Sequence, residues 1–450
     1  MGLHALSLYP SYRFSEDIMS IILNIPAIAR VLVVFILVLI AIRRNVSLGN
    51  AFLLGAILIG VLFGLTPGAM LFSASGSIMM PKTLSLAAVV TLILVLSSSM
   101  ELGGHMERLL ENFRGLVTNP RLNLAMFPAL IGLLPMPGGA VFSAPMVKEL
   151  GNRSRLRPDQ LSFINYWYRH IWEYWWPLYP GILLSVTLAD INLWTMMMIM
   201  WPFTIVAVSL GSLSVKGIDL KHAAVKRDKS ISAGPFFKEL TPILMVIFVG
   251  LGAGMLLSHI FPGFHTAKEM GLIISLILSI AYVWFRNGMN GDIIRKVVID
   301  PHLLEMFYMI IAILVFKGML EDSHAVAAIS REFAEFSVPL VLIAVALPFI
   351  VGGITGITIA FVGSTFPIIV PLVHSMGEGS FMLAYVILAL VSGFLGVLLS
   401  PLHLCLLLSN QYFEATFRRV YRHLILPCIF LFATAFMYFF FVRWMIARFG

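Results

Sequence analysis

Three ionisable side chains, Arg169, His170 and Glu173, stand among eight aromatic rings in the stretch "NYWYRHIWEYWWPLYPG" (165–181). Together they could attract an anion and exchange protons. A guanidinium forks onto a carboxylate, and an imidazole with a pKa near 6.5 trades protons with a neighbouring carboxyl group. His403, beside Ser400 in "LLSPLHLCLLLSNQYF" (398–413), offers a second imidazole. Read as continuous helix, Asn165, Arg169 and Glu173 fall at i, i+4 and i+8 on one face, with His170 beside them. Ionisable groups deep in a membrane cost several kcal/mol and usually face a cavity or a partner. Two readings follow. In one, Arg169 draws an anion while His170 and Glu173 exchange protons. In the other, Arg169 and Glu173 form an ion pair in an interfacial belt of Tyr and Trp. His403 is open to the same choice between proton carrier and structural hydrogen bond.

The elements that hold these residues must be membrane helices. Hydrophobic residues make up 60% of the chain and charged ones 12%, against about a quarter charged in a soluble domain; mean hydropathy is +0.96. The net charge of +8 comes with no basic stripe interleaved with aromatics, so no nucleic-acid partner is expected. Cys405 and Cys428 lie in apolar runs without disulfide or metal-ligand spacing. Neither an H-E-x-x-H zinc motif nor a G-x-S-x-G elbow occurs, so the expectation is no catalytic residue, no metal and no cofactor other than Na⁺ as a coupling ion. The run 26–42, followed directly by Arg43 and Arg44, reads as a retained helix rather than a signal peptide.

Ten stretches approach the roughly 20 apolar residues needed to cross a bilayer: 26–42, 49–65, 83–99, 161–190, 192–211, 239–260, 269–285, 302–319, 380–409 and 424–442. Two shorter ones, 122–134 and 339–351, stop at "PMPGG" and "GGITG" and are each followed by a second apolar piece. They are expected to be re-entrant hairpins, the alternative being one Pro-kinked helix each. The interruptions fall at matching places in two halves. "ELGGHMERLLENF" (101–113) matches "EDSHAVAAISREF" (321–333), "SAP" (143–145) matches "TFP" (365–367), and "PLYPGILLS" (177–185) matches "PLHLCLLLS" (401–409).

The expected fold is therefore an all-α polytopic membrane protein of two inverted repeats, 1–213 and 236–450. Each has five transmembrane helices and one re-entrant hairpin, and a cytoplasmic linker, 214–235, joins them. With both termini external, the inward loops carry 21 of the 30 Lys and Arg residues, while the outward stretches 66–82 and 373–379 hold only Lys82, as the positive-inside rule requires. A plasma (inner) membrane location follows.

Where a helix stops inside a membrane, its free N–H groups favour an anion and its free carbonyls a cation. The first tip offers Gly138, Gly139 and Ser143; the second offers Gly353, Thr355, Thr358, Ser364 and Thr365. With Arg169 and His403 these are the candidate substrate ligands, and His170, Glu173 and Ser400 are candidates for the coupling ion or proton. Close helix packing is the alternative use of such small residues. Residues 158–190 would form a helix of about 49 Å, so Pro177 and Pro180, like Pro401, should break it mid-membrane.

"LPMPGGAVFSAPMV", "NYWYRHIWEYWWPLYPG" and "LLSPLHLCLLLSNQYF" resemble the signatures of domain-of-unknown-function family 401. That family more remotely resembles the ion transporter superfamily of gluconate permeases and of dicarboxylate, citrate and divalent-anion carriers. The resemblance implies a scaffold from the first three spans of each half, a mobile transport domain around the hairpins, a homodimer and elevator-type movement. The superfamily's sodium symporters carry Ser-Asn-Thr at both tips, which this chain lacks. The expected function is secondary active transport of a small organic anion coupled to Na⁺ or H⁺. The alternatives are an intramembrane enzyme or lipid-handling protein using Glu173, His170 and His403, or a passive anion channel.

Overall fold

A computed structural model describes residues 23–449 except 115, 118, 137, 215–231 and 264–265. Residues 1–22, Pro137 of the first tip and most of the linker lie outside the described residues. Every regular element described is helical: α1 Ala27–Arg43, α2 Leu48–Leu62, α3 Pro67–Met79, α4 Pro81–Leu102, α5 His105–Phe113, α6 Pro120–Ile131, α7 Ala140–Arg153, α8 Pro158–Arg169, α9 Pro180–Leu188, α10 Leu193–Met200, α11 Pro202–Ser214, α12 Ala233–Ile260, α13 Ala267–Arg286, α14 Gly291–Val298, α15 Pro301–Asp322, α16 Ala325–Glu335, α17 Leu340–Thr355, α18 Thr358–Ser375, α19 Met382–Leu399, α20 Leu404–Phe413 and α21 Phe417–Phe449. Among the described residues eight helical stretches are long and apolar enough to cross a membrane, and α18, expected as a hairpin arm, is one of them. Large apolar side chains stand exposed on α12 and α21, Phe248 and Met437 among them. Only a hydrocarbon surround covers such faces at no cost.

Local sequence sets the helix starts. Thr66, Asn119 and Asp300 accept amide hydrogens of the first turn, and proline follows each, where its missing N–H costs nothing. The first of these starts α3, a 13-residue helix in the stretch read as an outward loop.

The helices form two groups. One joins α1, α2 and α4 to α12, α13 and α15; the other gathers the segments 120–153 and 340–375 around α8, α9, α19 and α20, with α11 and α21 outside them. Polar contacts sort the helix ends onto two faces of the bundle. On one, Glu239 meets Arg108 and Arg286, Asp159 meets His423, and Glu149 meets Arg114. On the other, Lys82 meets Asp190, Arg443 meets Glu378, and Glu332 accepts from the Ala27 and Ile28 amides.

Both interrupted segments double back. Asn123 and Phe127, early in α6, share a small pocket with Met146, Leu150 and Arg153, late in α7, so this pair enters and leaves at the Glu239 face. At the other end, Ser375, closing α18, lies 2.6 Å from Ser330 of α16, which holds the second pair to the Glu332 face. Two crossings break between the hairpins, at 170–179 and 400–403.

Candidate functional site

The break after Arg169 is longer than the two prolines alone dictate. His170 Nδ1 sits 2.6 Å from the Tyr166 carbonyl, the acceptor an uninterrupted helix would give to the His170 amide. That amide turns to Trp167 O instead. The side chain thus competes with the backbone and ends the helix. Glu173 consequently lies in loose turns rather than on the expected i, i+4, i+8 face of α8, a correction to the continuous-helix reading.

The aromatic run has a specific use. At the end of α6 and through the first tip, backbone carbonyls lose their helical donors and need others. Trp172 Nε1 donates to Ala129 O (2.8 Å), Trp176 Nε1 to Leu133 O (2.9 Å) and the Tyr179 hydroxyl to Gly132 O (2.6 Å). Arg169 Nη2 donates to Met136 O at 2.6 Å. The run bolts the first tip to the first break.

Among the described residues Arg169 makes no other side-chain hydrogen bond. It is 3% exposed, and its Nε is buried without a hydrogen-bond partner. Among the described residues no carboxylate lies within 4.0 Å of it, so the expected Arg169–Glu173 ion pair is not formed; Glu173 turns toward His170, Oε1 to Nε2 at 3.7 Å. Gly139 lies against the guanidinium, where a Cβ would come within 2.5 Å of Nη2. Ser143 donates to Asn165 Oδ1 at 2.7 Å, and Asn165 Nδ2 donates to Ala140 O and Ser409 Oγ. This network ties α7 and α8 to α20, at the counterpart of Ser185.

The second tip is smaller than expected. Helix α17 runs through Gly353 and Thr355, leaving only Gly356 and Ile357 between the arms. Gly356 has φ +66° and its carbonyl lies 2.7 Å from His403 Nδ1. Gly353 faces Gly396 of α19 and is a packing position. The hydroxyls of Thr355, Ser364 and Thr365 donate back to their own helix at Val351, Ala360 and Phe361. Thr358, by contrast, reaches Glu173 Oε2 at 3.4 Å from the first turn of α18, where the helix dipole favours a carboxylate. Buried Ser400 accepts from the Leu402 amide and lies beside Gly356.

The structure therefore brings together Arg169, His170, Glu173, Thr358, Ser400 and His403, with Gly139 against Arg169, whereas Gly138 lies against Leu404 and Leu408 and Ser143 bonds Asn165. It does not bring in Gly353, Thr355, Ser364 or Thr365. The two imidazoles meet Nε2 to Nε2 at 3.0 Å, and Cys405 Sγ lies within 4.8 Å of both. Cys405 was invisible as a site residue because its ring partner His170 is 235 positions away. A mixed-polarity cavity of ≈ 380 Å³, lined by Lys82, Asp190, Lys268 and Glu269 among others, opens at the far end of α9; none of the cluster residues lines it.

Helices apolar enough to span and apolar side chains on the outer faces define a polytopic all-α membrane protein. The chain belongs to the family described as "protein of unknown function (DUF401)", whose profile matches residues 27–442. No curated protein matches the chain.

Proposed function

We propose that this chain is a secondary active transporter of a small organic anion, coupled to Na⁺ or H⁺. The observation that carries the reading is Arg169: a permanent cation, 3% exposed, with no hydrogen-bond partner on Nε and, among the described residues, no carboxylate within 4.0 Å. A buried guanidinium that no carboxylate pairs directly is expensive, and an anionic ligand would make that good. Two helix breaks and two hairpins converge on it, an arrangement that secondary transporters use to bind at mid-membrane. The residues 1–213 and 236–450 act as inverted repeats in this reading, supported by hairpins that enter from opposite faces of the bundle. The group α1, α2, α4, α12, α13 and α15 serves as scaffold, and the group around the hairpins moves against it as an elevator within a homodimer of the plasma membrane, with both termini outside.

Purified protein in liposomes, given a panel of labelled carboxylates under imposed Na⁺ or pH gradients, tests this. Saturable, gradient-driven uptake is expected, and Arg169→Gln should remove it while leaving the protein monodisperse. No movement of any carboxylate under either gradient overturns the reading. The intramembrane-enzyme alternative, which would use His170, Glu173 and His403, gains from their convergence. Recovery of the transported label chemically unchanged separates the two, and flux without saturation would mark a channel.

A further inference from the structure

Two histidines and a cysteine from opposite halves of the chain point their ligating atoms at one another, and their tautomers are fixed. His170 Nδ1 lies 2.6 Å from Tyr166 O, and His403 Nδ1 lies 2.7 Å from Gly356 O. A carbonyl only accepts, so each Nδ1 must be the N–H. In two neutral rings both Nε2 atoms then present lone pairs, and these face each other at 3.0 Å. Two lone pairs at that distance repel unless something positive sits between or beside them.

We propose that His170 Nε2, His403 Nε2 and Cys405 Sγ form a binding site for a transition-metal dication of the zinc type. All three residues are buried or nearly so, and their ligand atoms lie within 4.8 Å of one another. Imidazole nitrogen with thiolate sulfur is the donor set such ions select, whereas Na⁺, Mg²⁺ and Ca²⁺ take oxygen. Each ring is oriented by an Nδ1–H bond to a backbone carbonyl, the support that metal-bound histidines need. Those carbonyls belong to the two irregular places, Tyr166 before the first break and Gly356 in the second tip, so the ion would fasten one broken crossing to the opposite hairpin. Three protein ligands leave a fourth position open, and Glu173 Oε1 lies 3.7 Å from His170 Nε2. The sequence hides the site because His403 and Cys405 are two residues apart while His170 is far upstream. The proposal does not depend on transport.

The probe is the metal alone. Full-length protein in detergent, stripped with chelator, is titrated with Zn²⁺ and, separately, Co²⁺. One ion per chain is expected, with a cobalt–thiolate charge-transfer band, and X-ray absorption of the zinc form should show one sulfur at about 2.3 Å and nitrogens at about 2.0–2.1 Å. Cys405→Ser should abolish the band, and Cys428→Ser, at the other buried cysteine, should leave it intact. His403→Ala should weaken binding by more than the ~10–100-fold that loss of a supporting hydrogen bond costs. An absorption spectrum of the unmutated protein without sulfur in the shell overturns the proposal, whatever the variants do. So does a band that survives Cys405→Ser, or a chain that binds no metal and shows instead one proton shared by the two imidazoles.

Discussion

The two hairpin tips are built in opposite ways. The first is wide and bolted: eight residues separate α6 from α7, and Trp172, Trp176, Tyr179 and Arg169 each hold one of the carbonyls there or just before them. The second is two residues long, and the side chain from another segment that holds its Gly356 carbonyl is the His403 imidazole. Large rings with two rotatable bonds lose little entropy when fixed and bury much surface, so the first tip is a rigid abutment. A lone histidine is a hold that a proton or a metal can change. If either hairpin moves during a functional cycle, the second has less to break.

The largest test of that difference is steric. Gly132→Ala would drive a methyl to 2.1 Å from the Arg169 carbonyl, backbone against backbone, whereas at Gly353 the nearest atom to a new Cβ is 3.8 Å away. Gly132→Ala should yield no monodisperse protein on size exclusion, and Gly353→Ala should behave like the parent. A normal Gly132→Ala protein would show that the first tip yields after all. Next in size is Tyr179→Phe, which strips the Gly132 carbonyl of its donor inside the bundle and should cost about 1–3 kcal/mol in a chemical-denaturation curve.

The entrance to the first broken crossing supplies a pH test. Burial pushes the Asp159 carboxyl up, but hydrogen bonds with Arg157 and His423 outweigh it and hold the group at about 2. A carboxyl lowered on folding stabilises above its ordinary pKa of 3.8 and loses that contribution as pH falls toward the folded value. Asp159→Asn should therefore cost about 2 kcal/mol at neutral pH, and the gap in thermal stability between variant and parent should close between pH 4 and 2. A gap independent of pH would mean that shape rather than charge matters there. The smallest effect belongs to the second tip: Thr355→Val, which removes a hydroxyl that donates to its own helix at Val351 and accepts a long 3.4 Å bond from the Ile357 amide, should change stability by about 0.5–1 kcal/mol. Amide exchange sharpens the contrast, with 356–358 expected to exchange faster than 132–136.

Much of this was legible in the residues. Apolar length marked seven of the ten expected spans, those at 26–42, 49–65 and 161–190 not forming span-length helices; paired Gly/Pro interruptions marked the hairpins, and Pro177 and Pro401 marked the breaks, because these signals are local. The motifs also marked the family. What stayed hidden depends on competition or on distance. The first break extends back to His170 because a side chain takes a backbone acceptor, which spacing does not reveal. Gly353 and Thr355 belong to α17 because Gly352 and Gly353 lie against Gly393 and Gly396 of α19, a contact across more than 40 residues. Cys405 reads as one more apolar position in "HLCLLLS" until His170 is placed beside it.

Glu332 accepts from the amides of Ala27 and Ile28 at 2.5 and 2.8 Å. The start of α1 is thus completed by a carboxylate that leaves the ribosome some three hundred residues later. Until then the Ala27 and Ile28 amides lack this acceptor. Biogenesis cannot finish in strict N-to-C order, and a truncated nascent chain ending before residue 332 would expose an unfinished helix that quality control could recognise.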